Sequence, residues 1–342
     1  DRDILIRDVR DEAVGLVPLE GLFADEAISE IMVNGTAPIH VERAGKIEQT
    51  MLAFSSDEAI RSVIDRIITP LGRHVDEGSP MVDARLADGS RLCVAIEPIA
   101  VDGPCLAIRR FAPRQIPLHQ FADAPAIAVL HEAVAQRCNI VVSGATSSGK
   151  TTLLAALAAA IEPTSRLVVL EDVAELRLEH PHVVRLETRD ATPDGVGALG
   201  LDALLRTALR LRPDRLVVGE IRGTEAVHLL HALNTGHDGS MSTVHANSAL
   251  DALARLASLV LQSAPNWPLA AVREHVARAI DIVVHVERGP DGQRQVVDIA
   301  EVCPPDVERG AVLATRPLVM TGADTGVDDG MAITRRRRVA RA

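Results

Sequence analysis

The stretch from Gly144 to Thr151 matches the spacing G-x-x-x-x-G-K-[ST] at every position, between an aliphatic segment and an Ala/Leu-rich one. In such a loop, backbone amides and the positive end of the next helix surround phosphate groups, and the second glycine lets the backbone approach them. The lysine reaches the β- and γ-phosphates, and the hydroxyl after it binds Mg²⁺. The sequence therefore predicts a nucleotide site with Thr151 as a metal ligand. The predicted phosphate-binding residues are Gly144, Ala145, Thr146, Ser147, Ser148, Gly149, Lys150, Thr151 and Thr152.

A carboxylate ends the aliphatic segment from Arg215 to Gly219, since Glu220 follows directly. This is the Walker B arrangement, in which the carboxylate lies beside the phosphate-binding loop and holds the shell of the Mg²⁺. We therefore expect Glu220 to be a catalytic and metal-shell residue. The alternative is a solvent-exposed glutamate that only follows a core strand.

Two further carboxylates, Glu171 and Asp172, follow the aliphatic residues 167–170, and Glu175 lies one turn on. A carboxylate here could orient and deprotonate an attacking water, a role typically worth about 10²–10⁴ in rate. Glu171 is the predicted base, and Glu175 is the other candidate. An acidic helix N-terminus is the structural alternative.

Threonine and histidine are concentrated in residues 236–247, which come after a predicted helix and include Thr243 and His245. An isolated histidine is more often structural than catalytic. From the residues alone, both roles stay open for His245.

Residues 1–111 are expected to form a small α+β domain. A helix is predicted over residues 55–69, because Ser55 begins a capping box and apolar residues then recur every three to four positions. Asn-Gly at 34–35 and Asp-Gly at 88–89 are hairpin signals between short β-type segments. Strands and one or two helices in this order predict a small sheet covered on one face.

Three prolines in residues 112–125 predict a linker between two domains. Residues 126–319 then alternate helical patterns with aliphatic strands, which predicts an α/β domain with a mainly parallel sheet and helices on both faces. Residues 320–342 are rich in Gly, Asp and Arg and are expected to be a mobile tail. The predicted strands of the second domain cover residues 139–143, 167–170, 216–219 and 282–286.

The composition argues against nucleic-acid binding. The chain has 342 residues, enough for two domains, with a net charge of −11 at pH 7 and 1% aromatic residues. The chain therefore lacks both the basic surface that binds nucleic acid and the aromatic side chains on which bases stack. None of the four cysteines forms a C-x-x-C pair, so we expect four buried thiols in a reducing compartment. The longest apolar run is far shorter than a membrane span, and a cytoplasmic protein is expected.

Four of these motifs, taken together, resemble those of the secretion-system ATPases, the motors of type II and type IV secretion and of type IV pili. The resemblance runs from about residue 15 to residue 305. The motifs are the phosphate-binding loop, Glu171-Asp172, residues 219–223 and residues 243–247.

The resemblance implies a RecA-like domain that binds ATP and Mg²⁺ and hydrolyses ATP. Glu171 then falls in the family's Asp box, Glu220 in Walker B, and His245 in the His box, where it would sense the γ-phosphate. Arg109 and Arg110 match family arginines that swing from the N-terminal domain onto the nucleotide. The resemblance also implies a homo-hexamer that reaches the inner membrane only through membrane platform proteins.

Within the family, residues 208–215 and 234–239 look like the tight-adherence (Tad, CpaF-like) pilus assembly branch. The cysteine-paired metal insertion of some type II members is absent, which agrees with that branch. Ala145 and Ser147 stand where close relatives often have glycine. Neither is the close-approach Gly149, so nucleotide binding is expected to survive.

Three other classes share features with this sequence. A GTPase-type switch needs an N-K-x-D guanine reader, and the chain has no Asn-Lys pair. A DNA-translocating motor shares the phosphate-binding loop, but the acidic charge and the scarcity of aromatic residues count against it. A small-molecule kinase would need an acceptor pocket that residues 236–247 do not suggest.

Overall fold

The computed structural model describes residue 16, residues 18–43, 45–110, 116–189, 197–305 and 311–320, and residue 333. The chain divides into two compact units, residues 1–113 (unit 1) and residues 114–342 (unit 2).

Unit 1 contains an antiparallel six-stranded sheet in the order β3-β2-β1-β6-β5-β4. Its strands are β1 (Ile28–Asn34), β2 (His40–Arg43), β3 (Lys46–Gln49), β4 (Met81–Arg85), β5 (Arg91–Ala95) and β6 (Cys105–Arg109). Its helices are α1 (Leu19–Ala24), α2 (Asp57–Ile68) and a 3₁₀-helix (Thr69–Leu71).

The core of unit 1 forms where one side of α2 meets the alternating apolar side chains of the sheet. Ile60 and Ile64 of α2 are almost fully buried in this cluster. The N-cap lies one residue later than predicted, because Ser56, not Ser55, accepts a hydrogen bond from the Ala59 amide, and the helix begins at Asp57. Ser56 has the extended backbone of an N-cap, which places its hydroxyl over the first turn.

Unit 2 contains an eight-stranded sheet in the order β14-β13-β12-β7-β11-β10-β8-β9. The six strands from β12 to β9 run parallel, and only β13 and β14 are antiparallel, so the prediction of a mainly parallel sheet is confirmed. The strands are β7 (Ile140–Gly144), β8 (Leu167–Glu171), β9 (Val183–Glu187), β10 (Arg215–Val218), β11 (Met241–His245), β12 (Ile282–Arg288), β13 (Arg294–Val302) and β14 (Thr315–Met320).

Helices cover both faces of this sheet. One face packs against α3 and α4, with Leu130 and Leu153 among the buried residues, and the other packs against α5 to α8, with Leu205 and Leu253 buried. The helices are α3 (Ala124–Ala135), α4 (Lys150–Ala158), α5 (Leu201–Ala208), α6 (Glu225–Asn234), α7 (Ala249–Ser263) and α8 (Leu269–Ala279).

In the range predicted as a linker, residues 112–125, the described residues 116–125 contribute to the core of unit 2. Leu118 and Phe121, around the 3₁₀-helix Leu118–Gln120, are buried with the residues of α3 and α4. Leu118 and Phe121 thus anchor this described part of the stretch to unit 2.

In the predicted tail, β14 extends to Met320, and Ile333 packs against the same core. The arginines at 335–338 and 341 lie outside the described residues.

The cysteine prediction is wrong for Cys93, whose side chain is exposed. It alternates along β5 with Leu92 and Val94, which are buried, so it points to the other face of the sheet. Cys138 is buried, and the other two cysteines are partly exposed. Across the described residues, no helix is both long and apolar enough to cross a bilayer.

Candidate active site

The phosphate-binding loop joins the end of β7 at Gly144 to the start of α4 at Lys150, between a buried strand and a helix N-terminus. Gly149, with φ 98°, is the N-cap of α4. A Cβ atom added there would lie 2.5 Å from Cδ of Arg294, and one added at Gly144 would lie 2.4 Å from the carbonyl oxygen of Val286. Both glycines are thus required by close approach of the loop to β12 and β13.

The remaining loop residues divide by exposure. Ser147 has φ 60°, a left-handed conformation that glycine adopts more easily. Ser148 is buried, and its Oγ has no hydrogen-bond partner among the described residues. An unpaired buried hydroxyl inside a loop of this type fits a site that receives polar groups from a ligand. Ala145, Thr146 and Ser147 are exposed, and Thr151 and Thr152 are half-buried in the first turn of α4.

Lys150 is buried, and its Nζ donates a hydrogen bond to the carbonyl oxygen of Ala145 at 2.7 Å. The same ammonium lies 3.2 Å from Nδ1 of His245. Burial lowers the pKa of Lys150, while the charge of Glu220 opposes that shift. These contacts place the Lys150 ammonium at the phosphate-binding loop, beside His245 of the neighbouring strand β11.

His245 ends β11 and joins Lys150 to Glu220. Its Nε2 lies 2.9 Å from Oε1 of Glu220, which follows β10. A lysine ammonium can only donate, so Nδ1 of His245 is the acceptor in the contact with Lys150. The neutral ring therefore carries its proton on Nε2, which faces the Glu220 carboxylate. Burial lowers the pKa of His245, and the Glu220 charge only partly offsets this, so the ring is neutral at pH 7.

Two residues that the motif analysis did not assign to the site extend this arrangement. Nη2 of Arg222 donates to Oε2 of Glu220 at 2.7 Å, and Nη1 of Arg222 lies 3.7 Å from Oδ2 of Asp172. We call the series Asp172–Arg222–Glu220–His245–Lys150 the contact chain. Arg222 belongs to the motif at residues 219–223, and that motif is the sequence feature that could have indicated its place in the site.

Thr243 has a structural role in this site. It is fully buried, and its Oγ1 donates to the carbonyl oxygen of Gly219 at 2.6 Å. The amide of Ile221 donates back to the carbonyl oxygen of Thr243 at 2.9 Å. These bonds fix the end of β10 against β11 and so place Glu220 next to His245.

Glu171, the predicted base, lies at the end of β8, three strands from β7 in the sheet order. Its Oε1 accepts hydrogen bonds from the amides of Glu175 and Leu176 at 2.9 and 2.8 Å, and its Oε2 lies 4.0 Å from the guanidinium of Arg185. Burial raises the pKa of Glu171 to about 7, although the two amides and Arg185 oppose the shift. Its methylene group lies against Gly219, one residue before Glu220, where an added Cβ would be 3.0 Å from Glu171 Cγ. Glu171 is thus next to the contact chain but not part of it.

The two predicted arginines belong to unit 1 and differ in their contacts. Arg110 donates from Nη1 to the carbonyl oxygen of Asp25, the C-cap of α1, at 2.5 Å, and lies 3.4 Å from that of Ile28. Arg109 is exposed on β6, opposite Glu30 of β1 and Arg91 of β5. Within the described part of the chain, the Arg109 side chain has no hydrogen bond or ion pair. Arg110 therefore has a structural function in unit 1 that Arg109 lacks.

The predicted oxygen donors for a Mg²⁺ ion are the Thr151 hydroxyl and the Glu220 carboxylate. Among the residues that the structure describes, no group of three or more His, Cys, Asp or Glu is placed to hold a metal by itself. Mg²⁺ is usually held by one or two protein oxygens together with substrate phosphates. The donor set fits that kind of binding.

Comparison with known proteins decides the family. The pattern described as "Type II/IV secretion system protein" matches residues 12–305. The chain belongs to this family. A putative conjugal transfer protein of Mycobacterium tuberculosis is 35% identical over 345 residues, covering 97% of this chain and 96% of that protein. The type IV secretion system protein PtlH of Bordetella pertussis is 35% identical over 309 residues, covering 80% and 89%.

The fold is also similar to that of a solved structure. The X-ray structure of the ATPase DotB of Legionella pneumophila matches with a TM-score of 0.58 at 20% identity, covering 80% of this chain and 76% of that one. The predicted family and the RecA-like α/β fold are therefore confirmed. The relatives are named for conjugal transfer and type IV secretion, and the narrower similarity to the Tad branch stays a prediction.

Proposed function

We propose that this member of the secretion family is an ATP hydrolase that acts as a hexameric motor for protein transport or pilus assembly. The observation that carries the proposal is the contact chain. It brings a lysine of the phosphate-binding loop, a neutral histidine and a carboxylate together at the ends of β7, β11 and β10. These strands run parallel, so their carboxyl ends lie on one edge of the sheet, where ligands bind in α/β folds.

The contacts support an order of events at the γ-phosphate. On binding of ATP, Lys150 would exchange its contact with His245 for contacts with the β- and γ-phosphates, which the lysine of such a loop binds. Released from Lys150, His245 would take up a proton from solvent at Nδ1 beside the γ-phosphate charge and donate to that phosphate, while its Nε2–H keeps the contact with Glu220. Loss of the γ-phosphate would reverse the exchange. In this way the presence or absence of the γ-phosphate would change the contacts at the ends of β10 and β11.

Glu171 is the proposed general base, and Glu175 is the alternative. A base with a pKa near the working pH combines a useful ionised fraction with a real affinity for the proton, and burial gives Glu171 such a value, about 7. Its Oε2 has no hydrogen-bond partner among the described residues, so that oxygen can accept from a water. A bound Mg²⁺, held by Thr151 and Glu220, would supply positive charge to the phosphates.

The contacts of Arg109 and Arg110 support different roles for the two residues in coupling hydrolysis to movement. Arg110 is held by backbone carbonyls of unit 1, whereas Arg109 is exposed. We propose Arg109 as the residue that reaches the γ-phosphate during turnover. Such an arginine can be worth about 10³–10⁵ in rate. Because it belongs to the unit without the phosphate-binding loop, hydrolysis would depend on movement of the two units.

The finer assignment is to the Tad pilus branch, on the residues at 208–215 and 234–239. In that setting the partners would be five further copies of the chain and the platform proteins of an inner-membrane machine. The protein would be cytoplasmic and attached to the membrane through those partners alone.

The experiment is a solution-mass measurement with and without ATP and Mg²⁺, alongside phosphate release. Glu220→Gln serves as a variant that should hold ATP without turnover. The proposal expects a sixfold mass in ATP and phosphate release by the unaltered chain. A monomer mass at every ATP concentration would contradict the ring, and stable binding to duplex or single-stranded DNA on filters would favour a DNA motor instead.

A further inference from the structure

The turn between β10 and α6 carries the middle of the contact chain. Glu220 and Arg222 both lie in this turn, and the Arg222 guanidinium links the Glu220 carboxylate to Asp172. The side chain of Arg222 is 63% exposed, so packing does not hold the guanidinium in place. Its position therefore depends on how the backbone of the turn is held.

Glu225, the first residue of α6, holds the backbone of this turn. Its Oε1 accepts hydrogen bonds from the amide of Arg222 at 2.5 Å and from the amide of Gly223 at 2.8 Å. The side chain of Glu225 is buried, and a Cβ atom added to Gly223 would lie 3.3 Å from its Oε2. One buried carboxylate thus binds two consecutive amides of the turn and lies against the second of these residues.

These hydrogen bonds differ from those of a helix cap. An N-cap side chain accepts from amides in the first turn of its helix, whereas Arg222 and Gly223 both precede the N-cap residue of α6, Thr224. The positive end of the helix also favours a carboxylate at this place, but that attraction needs no particular amide partner. Burial of a carboxylate is costly unless its oxygens are hydrogen-bonded, and at Glu225 the bonds that offset this cost belong to the turn.

The earlier part of the turn is held separately, by β11. The amide of Ile221 donates to the carbonyl oxygen of Thr243, and the Thr243 hydroxyl donates to the carbonyl oxygen of Gly219. Those bonds end where the bonds to Glu225 begin, one residue later. Thr243 therefore places the backbone of Glu220, whereas Glu225 places the backbone of Arg222.

We propose that Glu225 is a positioning residue that acts through Arg222. It holds the turn so that the Arg222 guanidinium lies between Glu220 and Asp172, and this guanidinium orients the Glu220 carboxylate toward His245. The inference rests on the ATP hydrolysis proposed above and adds a residue that lies outside the contact chain. Without the two amide bonds, ATP still binds to the phosphate-binding loop, but the Glu220 carboxylate loses its fixed orientation and hydrolysis slows.

Two conservative replacements of Glu225 separate its reach from its charge. Glu225→Asp keeps the charge at the start of α6 but is one methylene group shorter, so it cannot hold both amides in the same geometry. Glu225→Gln loses the charge but keeps an acceptor oxygen at the same reach. A displacement of about 1 Å can cost about 10²-fold in rate, so Glu225→Asp should slow phosphate release from bound ATP at least about tenfold, while ATP affinity stays within about threefold. Glu225→Gln should release phosphate within about threefold of the unaltered chain, because its oxygen can still accept from both amides.

A double-mutant cycle tests whether the effect passes through Arg222. Phosphate release is measured in a single turnover, with the full chain in excess over ATP and Mg²⁺ present, so that slow variants also give a rate. If Glu225 acts by placing the Arg222 guanidinium, Glu225→Asp should slow the Arg222→Ala variant by less than about twofold. Asp123→Ala is the matched control, because Asp123 is an exposed carboxylate that accepts an amide hydrogen bond at the start of α3. Its rate should equal that of the unaltered chain.

The outcomes distinguish the inference from the proposed function. Release by Glu225→Asp within twofold of the unaltered chain would overturn the inference, and so would release by Glu225→Gln that is as slow as that of Glu225→Asp. Equal losses from Glu225→Asp with and without the Arg222 side chain, or an equal loss in Asp123→Ala, would also overturn it. If the unaltered chain releases no phosphate, the proposed function fails and the inference fails with it. Thermal melting without nucleotide verifies that each variant is folded, and Glu225→Ala, which leaves no buried charge, replaces Glu225→Asp if the latter is not.

Discussion

The imidazole Nε2 of His245 lies 2.9 Å from Oε1 of Glu220, and this contact joins the ends of two neighbouring parallel strands. It exists because β11 is inserted between β7 and β10 in the sheet. The other ring nitrogen faces the ammonium of Lys150. One neutral histidine thus lies between the carboxylate proposed for the metal shell and the lysine of the phosphate-binding loop.

Glu220→Gln should bind ATP yet hydrolyse it at least tenfold more slowly. The amide keeps the shape of the side chain and an acceptor oxygen for His245, but it loses the charge that organises a metal shell. Equilibrium binding of ATP and steady-state phosphate release, measured on the same preparation, verify this. Loss of ATP binding would instead mean that Glu220 holds the site together.

The pH dependence of turnover should report Glu171. A general base acts in its ionised form, and the pKa of Glu171 is raised to about 7, so turnover at saturating ATP should rise as pH increases through 7. Glu171→Gln should bind ATP, lose at least tenfold in rate, and lack this rise. The same profile for Glu175→Gln is the control. A tenfold loss in Glu175→Gln, with a normal profile in Glu171→Gln, would move the base to Glu175.

The free energy of unfolding should also depend on the ionisation of Glu171, but it should fall as pH rises, whereas turnover should increase. The folded pKa of Glu171, about 7, lies above its ordinary value of 4.5, so the folded state holds the proton more tightly than the unfolded state does. This contribution is present below pH 4.5 and is lost as pH rises through 7, a change of about 3 kcal/mol in the free energy of unfolding. Glu171→Gln cannot ionise, so its stability relative to the unaltered chain should increase over that range. Denaturant unfolding at pH 5 and pH 8 measures the difference, and a constant difference would show that Glu171 is not buried as a neutral acid.

Single replacements should separate the two arginines. Arg109→Ala is expected to leave ATP affinity within about tenfold and to lower maximal turnover by about two orders or more, because its contact belongs to the transition state. Arg110→Ala should chiefly lower the melting temperature of unit 1, since the carbonyl oxygens of Asp25 and Ile28 lose a charged donor. Turnover against ATP concentration and thermal melting, on both variants, give the comparison. An unchanged maximal rate in Arg109→Ala would remove the proposed coupling.

Local patterns predicted the parts of the site that are continuous in the sequence. The phosphate-binding loop and Glu220 follow aliphatic runs, and such runs indicate buried strands. β11 escaped prediction because it contains Ser242 and Thr243, and polar residues can be buried in a central strand only where partners satisfy them. Thr243 is satisfied by the Gly219 carbonyl, a contact that only the folded sheet provides.

The contacts of Arg222 and Arg110 could not be predicted for a related reason. Arg222 is placed on Asp172 by the order of β10 and β8 in the sheet, which no local spacing encodes. Arg110 finds its carbonyl partner 85 residues away in sequence. The sequence alone therefore could not distinguish Arg109 from Arg110, because the difference depends on where α1 ends in the fold.

The phosphate-binding loop of unit 2 is proposed to hydrolyse ATP through Lys150. The most direct test of this proposal is continuous phosphate release by the full chain at saturating ATP and Mg²⁺, compared with Lys150→Ala. Sustained phosphate release is expected from the unaltered chain and none above background from the variant, because the β- and γ-phosphates lose the point charge of Lys150. Release by Lys150→Ala within twofold of the unaltered chain would contradict it.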